Sequence, residues 1–198
     1  MLRFRLKGVG FGISYLALAF LTLSVFIGKN DYGLLVCLAC ALFHELSHII
    51  LILRYCGKPD SVIINLTDVK INCDMNRLKA SQEVLINLAG PFANILLFCV
   101  LYLLNIIINL DALHIIAMSS LVIGVFNLLP LRTLDGGELL YMLLSRFLSS
   151  RTVDILLNII SVVILIPLAI LGFTVLFASK YNYSLLLVTI YIILTLIL

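Results

Sequence analysis

Long apolar runs separated by short polar breaks make up most of this chain. They predict six membrane-spanning helices, at about residues 11–28, 33–54, 83–109, 112–130, 152–178 and 181–198. A bilayer core about 30 Å thick needs roughly 20 helical residues, and each run comes close to that length. Of the polar breaks, the one at about residues 55–82 is the one long enough to hold structure of its own.

Within that break, apolar residues recur at every second position of residues 62–66 and 69–73, on either side of Thr67-Asp68. A period of two is typical of strands, and Thr-Asp suits a turn. The pattern predicts a small membrane-associated β-hairpin over residues 61–73, between the second and third spans. An ordinary structured loop is the alternative that the residues leave open.

Composition supports a membrane protein. Hydrophobic residues make up 63% of the chain and charged residues 12%, with a mean hydropathy of +1.23. A soluble domain of this size needs far more charge on its surface, so that class is excluded. The net charge of +3 is too small to indicate a nucleic-acid partner. No small-residue cleavage site follows the first run, which is therefore expected to stay as a membrane helix.

Lysine and arginine residues give the expected orientation. With a cytoplasmic N-terminus, two of the 13 lysine and arginine residues, Lys29 and Lys180, lie on the outer side. Because cytoplasmic loops are enriched in these residues, both termini are expected in the cytoplasm. His48 precedes Arg54 by six residues, about 9 Å along a helix, which predicts that it lies in the cytoplasmic half of the bilayer.

The second run contains His44-Glu45-Leu46-Ser47-His48, an HExxH motif. Histidines four residues apart share one face of a helix, so both imidazoles can reach a single metal ion. Glu45 can deprotonate a water molecule held by that ion. Ionisable residues in a membrane segment are costly and usually functional, so the placement of this motif favours catalysis.

A catalytic zinc usually takes three protein ligands, of which HExxH supplies two. The continuation that metzincins use is absent, because Leu51 stands where a glycine is needed and Arg54 where a third histidine is needed. His114 is expected at the outer end of the fourth span. A polar interfacial role is favoured for it over metal ligation.

Asp135 fits the expected depth of a third ligand. The fourth span ends on the cytoplasmic side, where Pro130 breaks the helix and Gly136-Gly137 are expected to let the backbone turn sharply. On these residues alone, the favoured alternative is that Asp135 caps a helix beginning near Glu138.

The five cysteines are odd in number and lie mostly in apolar runs, so they predict no disulfide framework. Cys37 and Cys40 form a CxxC one turn before the HExxH motif, a spacing that also suits metal or redox chemistry. Packing by small residues in a membrane helix is the favoured interpretation.

Three motifs follow one another over about residues 33–140: His44–His48, Gly90–Asn94, and Asn127-Leu128-Leu129-Pro130 continuing to Asp135-Gly136. Together they resemble the site-2 protease family of intramembrane zinc metalloproteases, with its motifs HExxH, GPxxN and N-x-x-P…D-G. The compact six-span layout is similar to the subgroup typified by the stage IV sporulation protein FB. A nucleotide-binding CBS domain often follows in that subgroup, and none is expected here.

The resemblance implies one Zn²⁺ per chain, held by His44, His48 and Asp135, with Glu45 as the general base. It implies that Asn127 is a catalytic residue that donates to the oxyanion, with an interhelical hydrogen bond as the alternative. Two substrate-binding residues are also expected. Asn94 would contact the substrate or pack between helices, and the strand containing Ile71 would hold an unwound substrate by β-augmentation.

The expected fold is an all-α polytopic membrane protein of about six transmembrane helices with the small hairpin. Residues 1–198 would form a single intramembrane metalloprotease domain, with the catalytic core at about 33–140. It would hydrolyse membrane-embedded or membrane-associated protein substrates near the cytoplasmic face of the cell membrane. Its expected partners are that substrate, the lipid bilayer and a regulatory membrane protein, with no nucleic acid. The alternatives are a catalytically silent membrane scaffold or binding protein, and a small transporter, which the lack of a visible internal repeat disfavours.

Overall fold

The computed structural model describes residues 1–6, 9–15, 32–57, 59, 61–64, 69–72, 78–179 and 189. Its strands are β1 Leu2–Leu6, β2 Val9–Ile13, β3 Ser61–Ile64 and β4 Val69–Asn72. Its helices are α1 Tyr32–Cys56, α2 Ala80–Ile108, α3 Asp111–Asn127, α4 Asp135–Leu144 and α5 Ser150–Ser179. The described part of the chain is therefore mostly helical and carries one small sheet.

The sheet has the strand order β1-β2-β3-β4. β1 pairs antiparallel with β2, β2 pairs parallel with β3, and β3 pairs antiparallel with β4. Val62 of β3 lies opposite Ile71 of β4, within the segment predicted to form the hairpin. The predicted turn at residues 65–68 lies outside the described residues. Strand β4 lies at one edge of the sheet that the described strands form.

The two N-terminal strands correct the sequence prediction. Residues 9–13 form β2, so the predicted first span does not begin at residue 11. Leu2, Phe4 and Leu6 alternate with Arg3 and Arg5, which is a strand signal that the basic charge of this segment obscures. Residues 16–28 of that span lie outside the described residues, as does the predicted sixth span apart from Thr189.

Three of the described helices, α1, α2 and α5, are long and apolar enough to cross a membrane, and α3 is a shorter apolar helix. Together they coincide with the predicted spans at 33–54, 83–109, 112–130 and 152–178. Large apolar side chains along them are exposed, for example Ile107 at 82% and Phe177 at 79%. Such faces suit lipid, because water-facing helix surfaces carry charge. The count of six spans stays a prediction.

The chain divides into two compact units, Met1–Phe126 and Asn127–Leu198. In the first unit α1 packs along α2, and α3 approaches α2 closely at Gly124. A Cβ atom at Gly124 would lie 3.0 Å from the carbonyl oxygen of Pro91 and 3.1 Å from the Cβ of Asn94. Small residues at such crossings let membrane helices gain van der Waals contact.

In the second unit, the chain between α3 and α4 lies tightly against the start of α4. A Cβ atom at Gly136 would overlap the carbonyl group of Leu128, and one at Gly137 would overlap that of Leu131. Neither glycine has a positive φ. These glycines therefore allow one backbone segment to approach another closely. Because both lie inside the helix α4, the prediction that they let the backbone turn sharply is wrong. The break at 131–151 also holds the helix α4, which begins at Asp135 and not near Glu138, where the capping alternative places its start.

Arg132 ties this segment to α5. Its backbone N–H donates to the Oγ of the fully buried Ser161 at 3.0 Å. Its guanidinium lies 3.1 Å from the Asp154 carboxylate and 3.3 Å from the Asn158 side-chain oxygen. Because both side chains of the Arg132–Asp154 pair are partly exposed, the pair contributes about 0–1 kcal/mol.

Candidate metal centre

The two histidines of the HExxH motif lie on one face of α1. Their Nε2 atoms are 3.1 Å apart, and their rings meet edge to face with centroids separated by 4.8 Å. His44 is buried and His48 half buried. The helix thus brings two nitrogen ligand atoms to one point inside the first unit, as the spacing of four residues predicts.

A backbone carbonyl orients His48. Its Nδ1 lies 2.7 Å from the carbonyl oxygen of Ile86 on α2. Since a carbonyl can only accept, Nδ1 carries the proton, and a neutral His48 then presents the lone pair of Nε2. A hydrogen bond of this kind is typical of the outer shell around a metal-ligating histidine.

Gly90 leaves the space that the imidazoles occupy. A Cβ atom at this position would overlap Nε2 of His48 and lie 2.6 Å from Nε2 of His44. The first glycine of the GPxxN motif therefore brings the α2 backbone against the two rings. The groups that pack against Gly90 are therefore the histidine rings themselves.

Asn94, the last residue of the same motif, lies beside His44. Its side chain is fully buried, with Nδ2 at 3.4 Å from Nδ1 of His44. Its Oδ1 is buried and has no hydrogen-bond partner among the described residues. This burial against α1 and α3 agrees with the packing role, and the expected contact with substrate stays a prediction.

The remaining predicted residues of the first unit are Glu45 and Ile71. Glu45 directly follows His44 on α1 and is half buried. Ile71 lies in the edge strand β4, opposite Val62. His114 is exposed in the first turns of α3, which suits the interfacial role favoured for it.

Asn127 and Asp135 belong to the second unit. Asn127 is the last residue of α3 and is half buried. Asp135 is the first residue of α4, and the cap position is held by Leu134, with an extended backbone. The structure therefore rules out the alternative in which Asp135 caps a helix beginning near Glu138.

The histidine pair fits a tetrahedral metal ion. Two nitrogens that each lie about 2.0–2.1 Å from one zinc are roughly 3.3 Å apart. The observed separation of 3.1 Å between the Nε2 atoms is close to this value. Imidazole nitrogens and a carboxylate oxygen form a ligand set that zinc accepts.

The CxxC residues show no such convergence. The Sγ of Cys37 lies 3.9 Å from Ser119 Oγ, and that of Cys40 lies 3.8 Å from the carbonyl oxygen of Ile116. Both cysteines contact α3, as the packing interpretation predicts.

Comparison with known proteins finds a matching family model and a similar solved structure. The model of peptidase family M50 matches residues 108–168, a stretch that includes the Asn127–Gly137 motif and leaves out HExxH. The site-2 protease from Methanocaldococcus jannaschii has a similar structure, with a TM-score of 0.66. The match covers 96% of this chain and 91% of that chain at 20% sequence identity. This chain has the site-2 protease fold. No curated protein sequence matches it.

Two features of this site-2 protease fold have no signal in the sequence. The carbonyl of Ile86 is a backbone atom, and any residue there would supply it. The contact of Gly90 with both imidazoles depends on how α1 and α2 pack. The GPxxN motif marks the segment, but it does not indicate that the histidines are its partners.

Proposed function

We propose that this chain is an intramembrane zinc metalloprotease of the site-2 protease type. Its substrates are membrane-embedded or membrane-associated proteins, cleaved near the cytoplasmic face of the cell membrane. The observation that carries the proposal is the convergence of the His44 and His48 Nε2 atoms, 3.1 Å apart, in a chain with the site-2 protease fold.

The proposed ligand set is His44, His48 and Asp135, for one zinc ion per chain. Asp135 would add a carboxylate oxygen to the two ring nitrogens. Its place in the N-x-x-P…D-G motif and its position outside the cap of α4 support this role. One carboxylate leaves the site with net positive charge, and a zinc ion bound there would polarise a peptide carbonyl and a water molecule.

Glu45 is the proposed general base. It accepts a proton from the attacking water and later donates that proton to the leaving amine, as a carboxylate beside a reacting water can do. The Asn127 amide donates a hydrogen bond to the carbonyl oxygen as negative charge develops there. An interhelical hydrogen bond is the competing role for Asn127, and its place in the motif favours the catalytic one.

Substrate handling is assigned to the sheet. A helical substrate has its peptide bonds in internal hydrogen bonds, so it must unwind before hydrolysis. Strand β4, which contains Ile71, lies at a sheet edge. An exposed edge can hold an extended segment through backbone hydrogen bonds. The proposed partners are therefore the protein substrate and the lipid bilayer, with a regulatory membrane protein as a further one.

The proposed orientation has both termini in the cytoplasm and the site opening to that side. Its support is the distribution of lysine and arginine, which leaves Lys29 and Lys180 alone on the outer side.

The competing function is a catalytically silent membrane scaffold or binding protein. Silent relatives of proteases usually lose a metal ligand or the general base. This sequence retains all four residues, His44, Glu45, His48 and Asp135, which favours the enzyme.

Cleavage of a single-span test substrate by the purified full chain tests the proposal. A chelator should abolish cleavage, and added zinc should restore it. Glu45→Gln should keep zinc and helix content, yet lower turnover by about 100- to 10,000-fold because glutamine cannot accept the proton. Glu83→Gln, which alters a half-buried glutamate in the first turn of α2, is the matched control and should cleave normally. Zinc binding without any cleavage by the unaltered chain would favour the silent scaffold.

A further inference from the structure

Asn94 is held rigidly at the centre of the first unit. Its side chain is fully buried on α2. Ser120 of α3 donates a hydrogen bond to its backbone carbonyl at 2.9 Å, and Gly124 packs against its Cβ. Neighbouring helices thus fix where the amide lies, beside His44.

The amide is incompletely satisfied as it is oriented. Its Nδ2 lies 3.4 Å from Nδ1 of His44, which is long for a hydrogen bond. Its Oδ1 is buried without a partner among the described residues. Buried polar side-chain atoms normally find partners, so an orphaned acceptor next to a histidine ring needs an explanation.

The two ends of an asparagine amide are nearly identical in shape, and their assignment follows from the hydrogen bonds they make. A half-turn of the amide exchanges its two ends, so that Oδ1 lies 3.4 Å from Nδ1, at the outer limit of a hydrogen bond, and Nδ2 takes the former place of Oδ1. Oδ1 then accepts a proton that His44 carries on Nδ1. This is the same tautomer that the Ile86 carbonyl imposes on His48.

The tautomer decides whether His44 can ligate. The Nε2 atoms of the two histidines face each other, so Nε2 is the ligand atom of each ring. A neutral imidazole that ligates through Nε2 carries its proton on Nδ1, and an acceptor at Nδ1 fixes that form and the ring orientation. A donor at Nδ1 would favour the opposite tautomer, with a proton on Nε2.

We propose that Asn94 is a positioning residue whose amide oxygen accepts the Nδ1–H of His44 and so presents the Nε2 lone pair to the metal. Asn94 acts through His44 and does not bind substrate. The assignment rests on the proposed metalloprotease function, since it gives Asn94 a purpose only at a metal site.

Zinc affinity of the purified full chain, measured by competition with a chelator of known affinity, tests this role. Asn94→Leu keeps the size of the side chain but removes the acceptor, and should weaken zinc binding by about 10- to 100-fold, as loss of an outer-shell partner usually does. Asn94→Asp keeps an acceptor at Nδ1, and should bind zinc at least as tightly as the unaltered chain. Cys40→Ala changes another buried residue, one turn before His44, and should leave the affinity unchanged.

A spectroscopic readout separates positioning from folding. With Co²⁺ in place of zinc, the visible absorption bands should shift in Asn94→Leu and keep the positions of the unaltered chain in Asn94→Asp. Both variants should keep the helical circular dichroism of the unaltered chain. Wild-type affinity in Asn94→Leu, or an equal loss in Asn94→Asp, would overturn the positioning role and leave the proposed function intact. An unaltered chain that binds neither metal would overturn both.

Discussion

The histidine cluster of the first unit and the Asn127–Gly137 segment of the second unit are held in place by different contacts. Around the histidines, polar groups of α2 contact the imidazole rings: the Ile86 carbonyl contacts His48, and the Asn94 amide lies beside His44. Around Asp135, backbone meets backbone, because Gly136 and Gly137 lie against the carbonyl groups of Leu128 and Leu131.

Because of this difference, we expect substitutions in the two regions to have different effects. Hydrogen bonds to a ligand ring set its orientation and protonation, so losing one should change metal affinity while the fold survives. Backbone contacts at glycines leave no space for a Cβ atom, so a substitution there should change the fold first. The two halves of the proposed site can therefore be separated by measuring zinc affinity and stability side by side.

The largest effects are expected from removing a ligand in either half. The unaltered chain should carry about one zinc, and His44→Ala, His48→Ala or Asp135→Ala should lose most of it. Metal analysis of purified protein measures this, with His114→Ala as the control that keeps its zinc. Full zinc content and normal turnover in Asp135→Ala would remove Asp135 from the site and leave the histidine pair without its proposed third ligand.

Alanine at two glycines should give opposite results. Gly90→Ala drives a methyl group into both imidazoles, so zinc affinity should fall while thermal stability changes little, helped by the higher helix propensity of alanine. Gly137→Ala drives a methyl group into the Leu131 backbone, and should lower the free energy of unfolding by about 1–3 kcal/mol.

Thermal unfolding in detergent and zinc titration distinguish these outcomes. Cys40→Ala is the control for packing of α1, since Cys40 is buried and contacts the Ile116 carbonyl of α3. If Gly90→Ala kept its zinc affinity but melted early, Gly90 would serve packing alone, and the contrast between the two halves would disappear.

The smallest effect is expected at the sheet, remote from the ligands in sequence. Ile71→Pro removes a backbone N–H from the edge strand β4. It should slow cleavage of a helical substrate several-fold more than cleavage of a short unstructured peptide, because only the former must be held unwound. Phe4→Pro makes the same change in β1, at the opposite edge of the sheet. Equal losses on both substrates, or equal effects of the two prolines, would restrict the sheet to a structural role.

Much of the architecture can be predicted from the sequence, because a helix that crosses the bilayer must be long and apolar. The four apolar runs that coincide with α1, α2, α3 and α5 are visible for this reason, and so is the histidine pair, whose spacing depends on helix geometry alone. The strands β1 and β2 could also have been predicted, since large apolar residues recur at every second position along both. The helix α4 is only 10 residues long, too short to be predicted as a span, and the capping pattern placed its start near Glu138 instead of Asp135.

By itself, the sequence determined the residue types proposed as metal ligands, the face of α1 on which the histidines lie and the apolar character of the long helices. Tertiary structure alone decided which atoms support those residues. Three groups of α2 contact the histidines only because α1 and α2 pack together: the carbonyl of Ile86, the Cα of Gly90, which carries no Cβ, and the amide of Asn94. The reason is physical: helix periodicity is a local property of the chain, whereas a hydrogen bond across 50 residues depends on the packing of whole helices.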